Sequence, residues 1–238
     1  FYLFYSIFGF QRVGDMIWIC GDMLCRGFLL GGTAGRTTLN GEGLQHQDGH
    51  SQVVAETIPN LRSYDPAFGY ELAVIIRDGI HRMYELQEDA FYYITLYNEN
   101  YSMPAMPEND PTEGILRGLY CYRRSELRDC PRTHVLAAGP MVVQAERAAA
   151  QLEQQGIACD VWSATSFNQL YRDAISAERY NRLHPLETPQ RAWIETSLEN
   201  EQGVFVAVSD YMKAVGTKLA AWIPGEYVVL GTDGYGLS

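Results

Sequence analysis

From residue 134 onward, apolar runs of strand length alternate with helical stretches, and this alternation constrains the fold more than any other feature. Residues 134–138 (HVLAA) read as a strand ending at Gly139. Residues 141–155 read as an Ala-rich helix stopped by Gly156, and 157–162 as the next strand. Residues 204–208, 211–222 and 227–230 repeat the order strand, helix, strand. Strands joined by crossover helices imply a parallel sheet with right-handed connections and helices on its faces. An α/β protein is expected, with an open, mostly parallel sheet in its second half.

The first half is patterned less regularly. Residues 2–8 are aromatic and apolar and read as a buried strand. Residues 10–26 follow with Val13, Ile17, Cys20 and Leu24 at helical spacing. A short apolar run occupies 28–30, and 58–64 reads as a strand ending at the Asp65-Pro66 breaker. Residues 67–84 carry Leu72, Ile75, Ile76, Ile80 and Met83 on one helical face, and 91–97 are rich in β-formers. Residues 98–114 contain Pro104, Pro107 and Pro111, which exclude a helix or a central strand and predict a linker.

Between two of these elements lies GGTAGRTTLNGEGLQHQDGHS, residues 31–51, with no apolar period of either kind. Gly31, Gly32, Gly35, Gly41, Gly43 and Gly49 give its backbone access to conformations closed to other residues. Irregular segments this long inside a compact domain are functional or disordered, and the apolar flanks argue for function. Arg36, Glu42, His46, Asp48 and His50 set a cation, two carboxylates and two imidazoles on this one loop. Their density outweighs the plain reading of a solvated surface loop. A metal reading of His46-Gln-Asp48-Gly-His50 lacks a second His or Cys cluster, because His81, His134 and His184 sit in ordinary helix, strand or turn contexts. General acid–base work by His46 is the better reading, since imidazole titrates near neutrality in water. His50 is as readily a surface hydrogen-bonding group.

The loop GTDGYG at 231–236 has the glycines of a phosphate cradle but neither a following helix nor a Walker lysine, and reads as a turn after the last strand. Tyr2, Phe4, Tyr5, Phe8 and Phe10 form either core or an aromatic wall for a flat ring. The formal net charge of −11, with no run of Lys or Arg, argues against nucleic acid or an anionic membrane as partner. No apolar run approaches bilayer-spanning length. The five cysteines form no Cys-x-x-Cys pair, which fits a reducing, cytoplasmic compartment rather than a disulfide framework. Both ends read as cut from a longer chain.

With these residues in view, the sequence resembles the homodimeric bacterial type of thiamine-diphosphate-dependent pyruvate dehydrogenase, the decarboxylating first component of its complex. The resemblance rests on FYSIFGFQR, RTTLNGEGLQHQDGHS, SYDPAFGYE, NENYSMPAMPE, TSF, LHPLETP, SDYMK and VLGTDGYG, in that order along nearly the whole chain. Residues 121–132 depart from the pattern. The resemblance implies a thiamine-diphosphate-binding, transketolase-like fold. Residues 1–98 would be the later part of a pyrimidine-binding middle domain, 99–114 a linker, and 115–238 a truncated C-terminal domain.

It further implies that Tyr5 and Phe8 lie against the cofactor's aminopyrimidine ring. His46 would be the active-centre histidine and Glu42 a loop carboxylate beside it, while Asp48 and His50 receive no assigned role. The family's Gly-Asp-Gly motif for Mg²⁺ and diphosphate, and its pyrimidine glutamate, are absent here, so no metal ligand is expected in this chain. The implied reaction decarboxylates pyruvate, with the cofactor as electron sink, and transfers the acetyl group to lipoamide of the lipoyl-bearing dihydrolipoamide acetyltransferase. A homodimer is implied, and the isolated chain is expected to be inactive. The alternatives are another thiamine-diphosphate enzyme such as a transketolase, or an inactive dimerisation or folding module. The motif Gly-Leu-Gln-His-Gln-Asp-Gly-His argues against transketolase, which resembles it only around its acidic Asp-Gly end.

Overall fold

Two sheets organise the chain in the computed structural model, which describes residues 1–39 and 43–236. The first contains β1 (Tyr2–Tyr5), β2 (Phe28–Gly32), β3 (Leu61–Tyr64) and β4 (Phe91–Thr95), all parallel, in the order β1-β2-β4-β3. β4 is buried along its whole length, as its FYYIT sequence and inner position require. The second sheet contains β5 (Tyr120–Arg123), β6 (Arg132–Ala137), β7 (Ala158–Ser163), β8 (Val204–Val208) and β9 (Glu226–Leu230), in the order β5-β7-β6-β8-β9. Its strands are parallel except β5, which runs antiparallel to β7. The alternation after residue 134 therefore does specify a parallel sheet, with Val204 opposite Glu226 and Val208 opposite Leu230.

Helices cover both sheets: α1 (Ser6–Asp22), α2 (Ser51–Glu56), α3 (Gly69–Ile80), α4 (Thr112–Arg117), α5 (Met141–Gln154), α6 (Phe167–Leu183), α7 (Trp193–Leu198) and α8 (Ala214–Thr217). On one face of the second sheet Leu136, Phe205 and Ala207 pack against Phe167, Leu170, Tyr211 and Leu219. On the other, Val135, Ala137 and Val161 meet Val142, Ala145 and Ala149 of α5. Small side chains on α5 let it lie close to the strands.

Several elements differ from the sequence reading. The first strand stops at Tyr5 and α1 starts at Ser6, so Phe8 and Phe10 are helical. The aromatic run conceals this boundary because rings suit either element. The proline-rich stretch 98–114 already enters α4 at Thr112. Residues 211–222 break into α8 and a short 3₁₀ turn at Ala220–Trp222. The antiparallel β5 and the helices α2, α6 and α7 have no counterpart in the periodicity argument.

The carboxyl ends of the two sheets meet. Asp65, just past β3, donates its N–H to Thr165 O at 2.7 Å, and its own carbonyl accepts from the Gly139 N–H at 3.0 Å. Ser166 Oγ donates to Ser63 O at 2.6 Å, and Asn168 Nδ2 to Gln52 O at 2.7 Å. Buried Glu71 of α3 accepts from Tyr120 Oη and Ser163 Oγ of the second sheet at 2.7 and 2.6 Å. Open α/β sheets bind ligands at the carboxyl ends of their strands, and here two such ends share one seam.

Candidate active site

At the outer end of that seam three aromatic rings converge. β1 delivers Tyr5, and the first turn of α1 delivers Phe8. Gly9 lets α1 settle directly on Phe4, since a Cβ there would lie 1.7 Å from the Phe4 ring. The loop after β2 returns as a 3₁₀ turn, Leu44–His46. It brings the His46 ring within 5.1 Å of Tyr5 and 5.4 Å of Phe8, centroid to centroid. Tyr5 and Phe8 meet edge to face at 5.7 Å. Tyr5 is 50% exposed, so the group opens to solvent. The other aromatic residues divide by role: Phe4 and Phe10 pack on buried Tyr93 and are core.

The loop that carries His46 is tied down on both sides of its turn. The buried Asp210 carboxylate, past β8, accepts from the Arg36 N–H at 2.7 Å and the Thr37 N–H at 3.0 Å. The Arg36 guanidinium donates to the carbonyls of Thr232 and Gly234. The loop after β9 thus turns its Thr232 and Gly234 carbonyls toward an arginine. Asp48 is fully buried. Its N–H donates to Gly35 O at 3.0 Å, and its Oδ1 accepts the N–H groups of His50 and Ser51 at 2.9 Å each, capping α2. Glycine serves close packing here as much as freedom. Gly35 has φ +78, and a Cβ there would fall 2.2 Å from Asp210 Oδ2. A Cβ at Gly49 would fall 2.3 Å from the Arg36 guanidinium carbon.

Burial shifts the acids in this seam. Desolvation pushes the Asp210 carboxyl above its ordinary range, against the N–H groups of Arg36 and Thr37. Asp65 is pushed up to about 7 by desolvation, although Thr95 and Tyr97 donate hydroxyls to its Oδ1 at 2.6 Å each. Burial likewise lowers the Arg36 guanidinium, offset by Asp48, Asp210 and Asp233 nearby.

The structure thus gathers Tyr5, Phe8 and His46, whereas Glu42 lies outside the described residues. Asp48 and His50 sit behind the ring group, in the loop's return. Sequence reasoning did not find Asp210 or Asp65. Their motifs, SDYMK and SYDPAFGYE, were visible, but nothing local says that each acid reaches across to another element. Sequence reasoning also set His134 aside. It lies buried with Asp160 and Glu201, their ligand atoms within 4.8 Å of one another. Asp160 already accepts from Arg132 at 2.7 Å and Arg124 at 3.1 Å, so arginines supply the cation there. That group lies toward the amino ends of β6 and β8, away from the ring cluster.

Comparison with known proteins follows this geometry. A family model of the pyruvate dehydrogenase E1 component middle domain matches residues 1–104, and one of the transketolase-like TK C-terminal domain matches residues 118–238. A pyruvate dehydrogenase E1 component from Pseudomonas aeruginosa is 52% identical over 240 residues, covering 100% of this chain and 27% of the relative. One from Escherichia coli K12 is 50% identical over 241 residues with the same coverage, 100% and 27%. The chain thus spans about a quarter of the length of the relatives it matches. Among solved structures, a Campylobacter jejuni transketolase superposes with a TM-score of 0.67 at 19% identity, covering 99% of this chain and 31% of that one. A Leishmania mexicana transketolase gives 0.68 at 15% identity, with 99% and 30% covered. At these identities the likeness is one of fold.

Proposed function

The chain belongs to the pyruvate dehydrogenase E1 component family, and from that premise we propose that it forms part of an enzyme that decarboxylates pyruvate on thiamine diphosphate and passes the acetyl group to lipoamide of a dihydrolipoamide acetyltransferase. The observation that carries the reading is the meeting of Tyr5, Phe8 and His46 within 5.1–5.7 Å of one another at the carboxyl end of a parallel sheet. Two aromatic rings with an imidazole beside them, open to solvent, suit a flat heterocycle with a reacting centre at its edge. The donor set fits the cofactor's ring. Nothing in the ring group suits Mg²⁺ or a diphosphate, whose ligands in this reading lie outside the chain.

When bound, thiamine diphosphate supplies an electron sink for the carbon that loses CO₂. The chain's own residues do the rest. Tyr5 and Phe8 bind and orient the ring. His46 holds a proton toward the substrate's keto oxygen and stabilises charge developing there. Glu42, four residues before His46, is assigned as the carboxylate that attends it. Arg36, Asp48 and Asp210 hold the loop so that His46 needs little reorganisation. The same reading assigns residues 1–98 to a middle domain, 99–114 to a linker and 115–238 to a C-terminal domain, in a cytoplasmic homodimer. No helix among the described residues is long and apolar enough to cross a membrane.

The test is a graft. The 240-residue matching segment of the Pseudomonas aeruginosa relative is replaced by this chain. Pyruvate decarboxylation with acetyl transfer to lipoamide at rates within about tenfold of the parent is the expected result. A folded, cofactor-binding graft with no pyruvate turnover contradicts the reading.

A further inference from the structure

Beside the ring group lies a cavity that shares Phe8 with it. Its volume is about 370 Å³, and Phe8, Arg12, Arg36, Gln45, Gln47 and His50 line it. The walls carry two guanidiniums, an imidazole and side-chain amides, and no carboxylate among the described lining residues. In a chain of net charge −11 that is an unusual concentration of donors. Through Phe8 the cavity abuts the candidate active site.

The hydrogen bonds decide what the cavity presents. Arg36 Nη2 lies 3.4 Å from His50 Nδ1. A guanidinium only donates, so at this contact Nδ1 accepts, and the tautomer of the neutral ring that suits it carries the proton on Nε2. His50 therefore offers a donor, with Nε2 unbonded to any described residue. Arg36 itself is fixed by the carbonyls of Thr232 and Gly234, which leaves it rigid. Arg12 stacks its guanidinium on Phe8 at 4.2 Å and makes no ion pair with a described residue. Other arginines are held by a carboxylate, as Arg82 is by Asp78 and Arg123 by Glu153. Arg12 instead keeps its forked donors available, on a ring that limits where they reach.

We propose that this cavity is an oxyanion-binding site, with Arg12 and His50 Nε2 as its donors and Arg36 as the group that fixes the His50 tautomer. A carboxylate or phosphate group matches a forked guanidinium and a second N–H. The carboxylate of the 2-oxo acid is one source, and that attribution alone rests on the proposed function. A free phosphate is the other.

The experiment reads His50 directly, without cofactor or turnover, so its outcome is independent of whether the enzyme reading holds. The ¹⁵N-labelled 238-residue chain is titrated with inorganic phosphate and, separately, with pyruvate, while long-range ¹H–¹⁵N spectra record the histidine rings. His50 is expected as the Nε2–H tautomer, with its Nε2 signal moving saturably. Arg12→Gln is expected to weaken binding roughly tenfold or more, the effect of losing one charge-assisted bond. Arg12 is exposed, so the variant folds, and an unchanged thermal midpoint checks it. Mutual competition between the two anions assigns the shared site, and a response to one alone assigns the source. An Nδ1–H tautomer, no saturable shift with either anion, or equal affinity in Arg12→Gln overturns the proposal.

Discussion

Where the 31–51 loop leaves and rejoins the body of the protein, Arg36 and Asp48 are buried, whereas at its turn His46 is half-buried and meets the exposed ring of Tyr5. Asp48 and Arg36 are 0% and 6% exposed, while Tyr5 is 50% exposed. The Asp210 carboxylate, Asp48 Oδ1 and the Arg36 Nη groups bond to backbone, while Asp48 Oδ2 and Arg36 Nε are buried without a hydrogen-bond partner among the described residues. Tyr5, Phe8 and His46 touch one another through ring faces and edges. The residues that fix the loop's shape are thus desolvated, and the ring group proposed to meet a ligand is more open. Changes in the first group should act on stability, and changes in the second on binding or rate.

The largest stability effect is expected at Asp210. Asp210→Ala leaves the Arg36 and Thr37 N–H groups without their buried acceptor, at a cost of about 2–6 kcal/mol. Urea denaturation of the chain measures it, and a loss below about 1 kcal/mol would place Asp210 with the exposed group. Asp65 should give a pH signature. Unfolded, it ionises near 3.8, and folded near 7. Between those values the folded state holds the extra proton, so the group's contribution falls as pH rises from about 4 to 7 and is level above. The change is of order 4 kcal/mol. Asp65→Asn, whose amide oxygen accepts from Thr95 and Tyr97, should remove that slope in denaturation midpoints taken across the range. Gly35→Ala, at a left-handed φ and against the Asp210 carboxylate, should cost about 1–3 kcal/mol. Tyr5→Ala should change stability least, by under about 1 kcal/mol, because half of its surface is already in water. In the grafted enzyme it should instead weaken cofactor affinity about tenfold, read by calorimetry, with a smaller effect on the rate.

The same division explains what was legible in the sequence. Periodicity exposed the parallel sheet after residue 134, because helices and strands bury their apolar faces at characteristic spacings. His46 stood out as an imidazole in a glycine-rich, period-free loop, and the structure brings its ring beside Tyr5 and Phe8, but the same pattern did not separate it from Arg36 and Asp48, which hold the loop's shape. Tyr5 and Phe8 needed the family resemblance, since aromatic residues near a strand end are ordinarily core, and Phe4, next to Tyr5, and Phe10, two positions after Phe8, are core. The supports were hidden. Asp210 acts on Arg36 across 174 positions, and the Arg36 guanidinium reaches Gly234 across 198. A local pattern carries no trace of such pairings. The start of α1 at Ser6 was also missed, because no capping side chain marks it.

The most direct test of the account is His46→Ala in the grafted enzyme, followed in a single turnover through CO₂ release and acetyl transfer to lipoamide. A group that handles protons or charge at the reacting centre should lose roughly 10²–10⁴-fold in rate. Cofactor affinity and the unfolding midpoint should stay near those of the unsubstituted graft, because Tyr5, Phe8 and the buried supports remain. Unaltered rates for both steps, in a variant that folds and binds cofactor, would contradict the account and reduce His46 to part of the loop's surface.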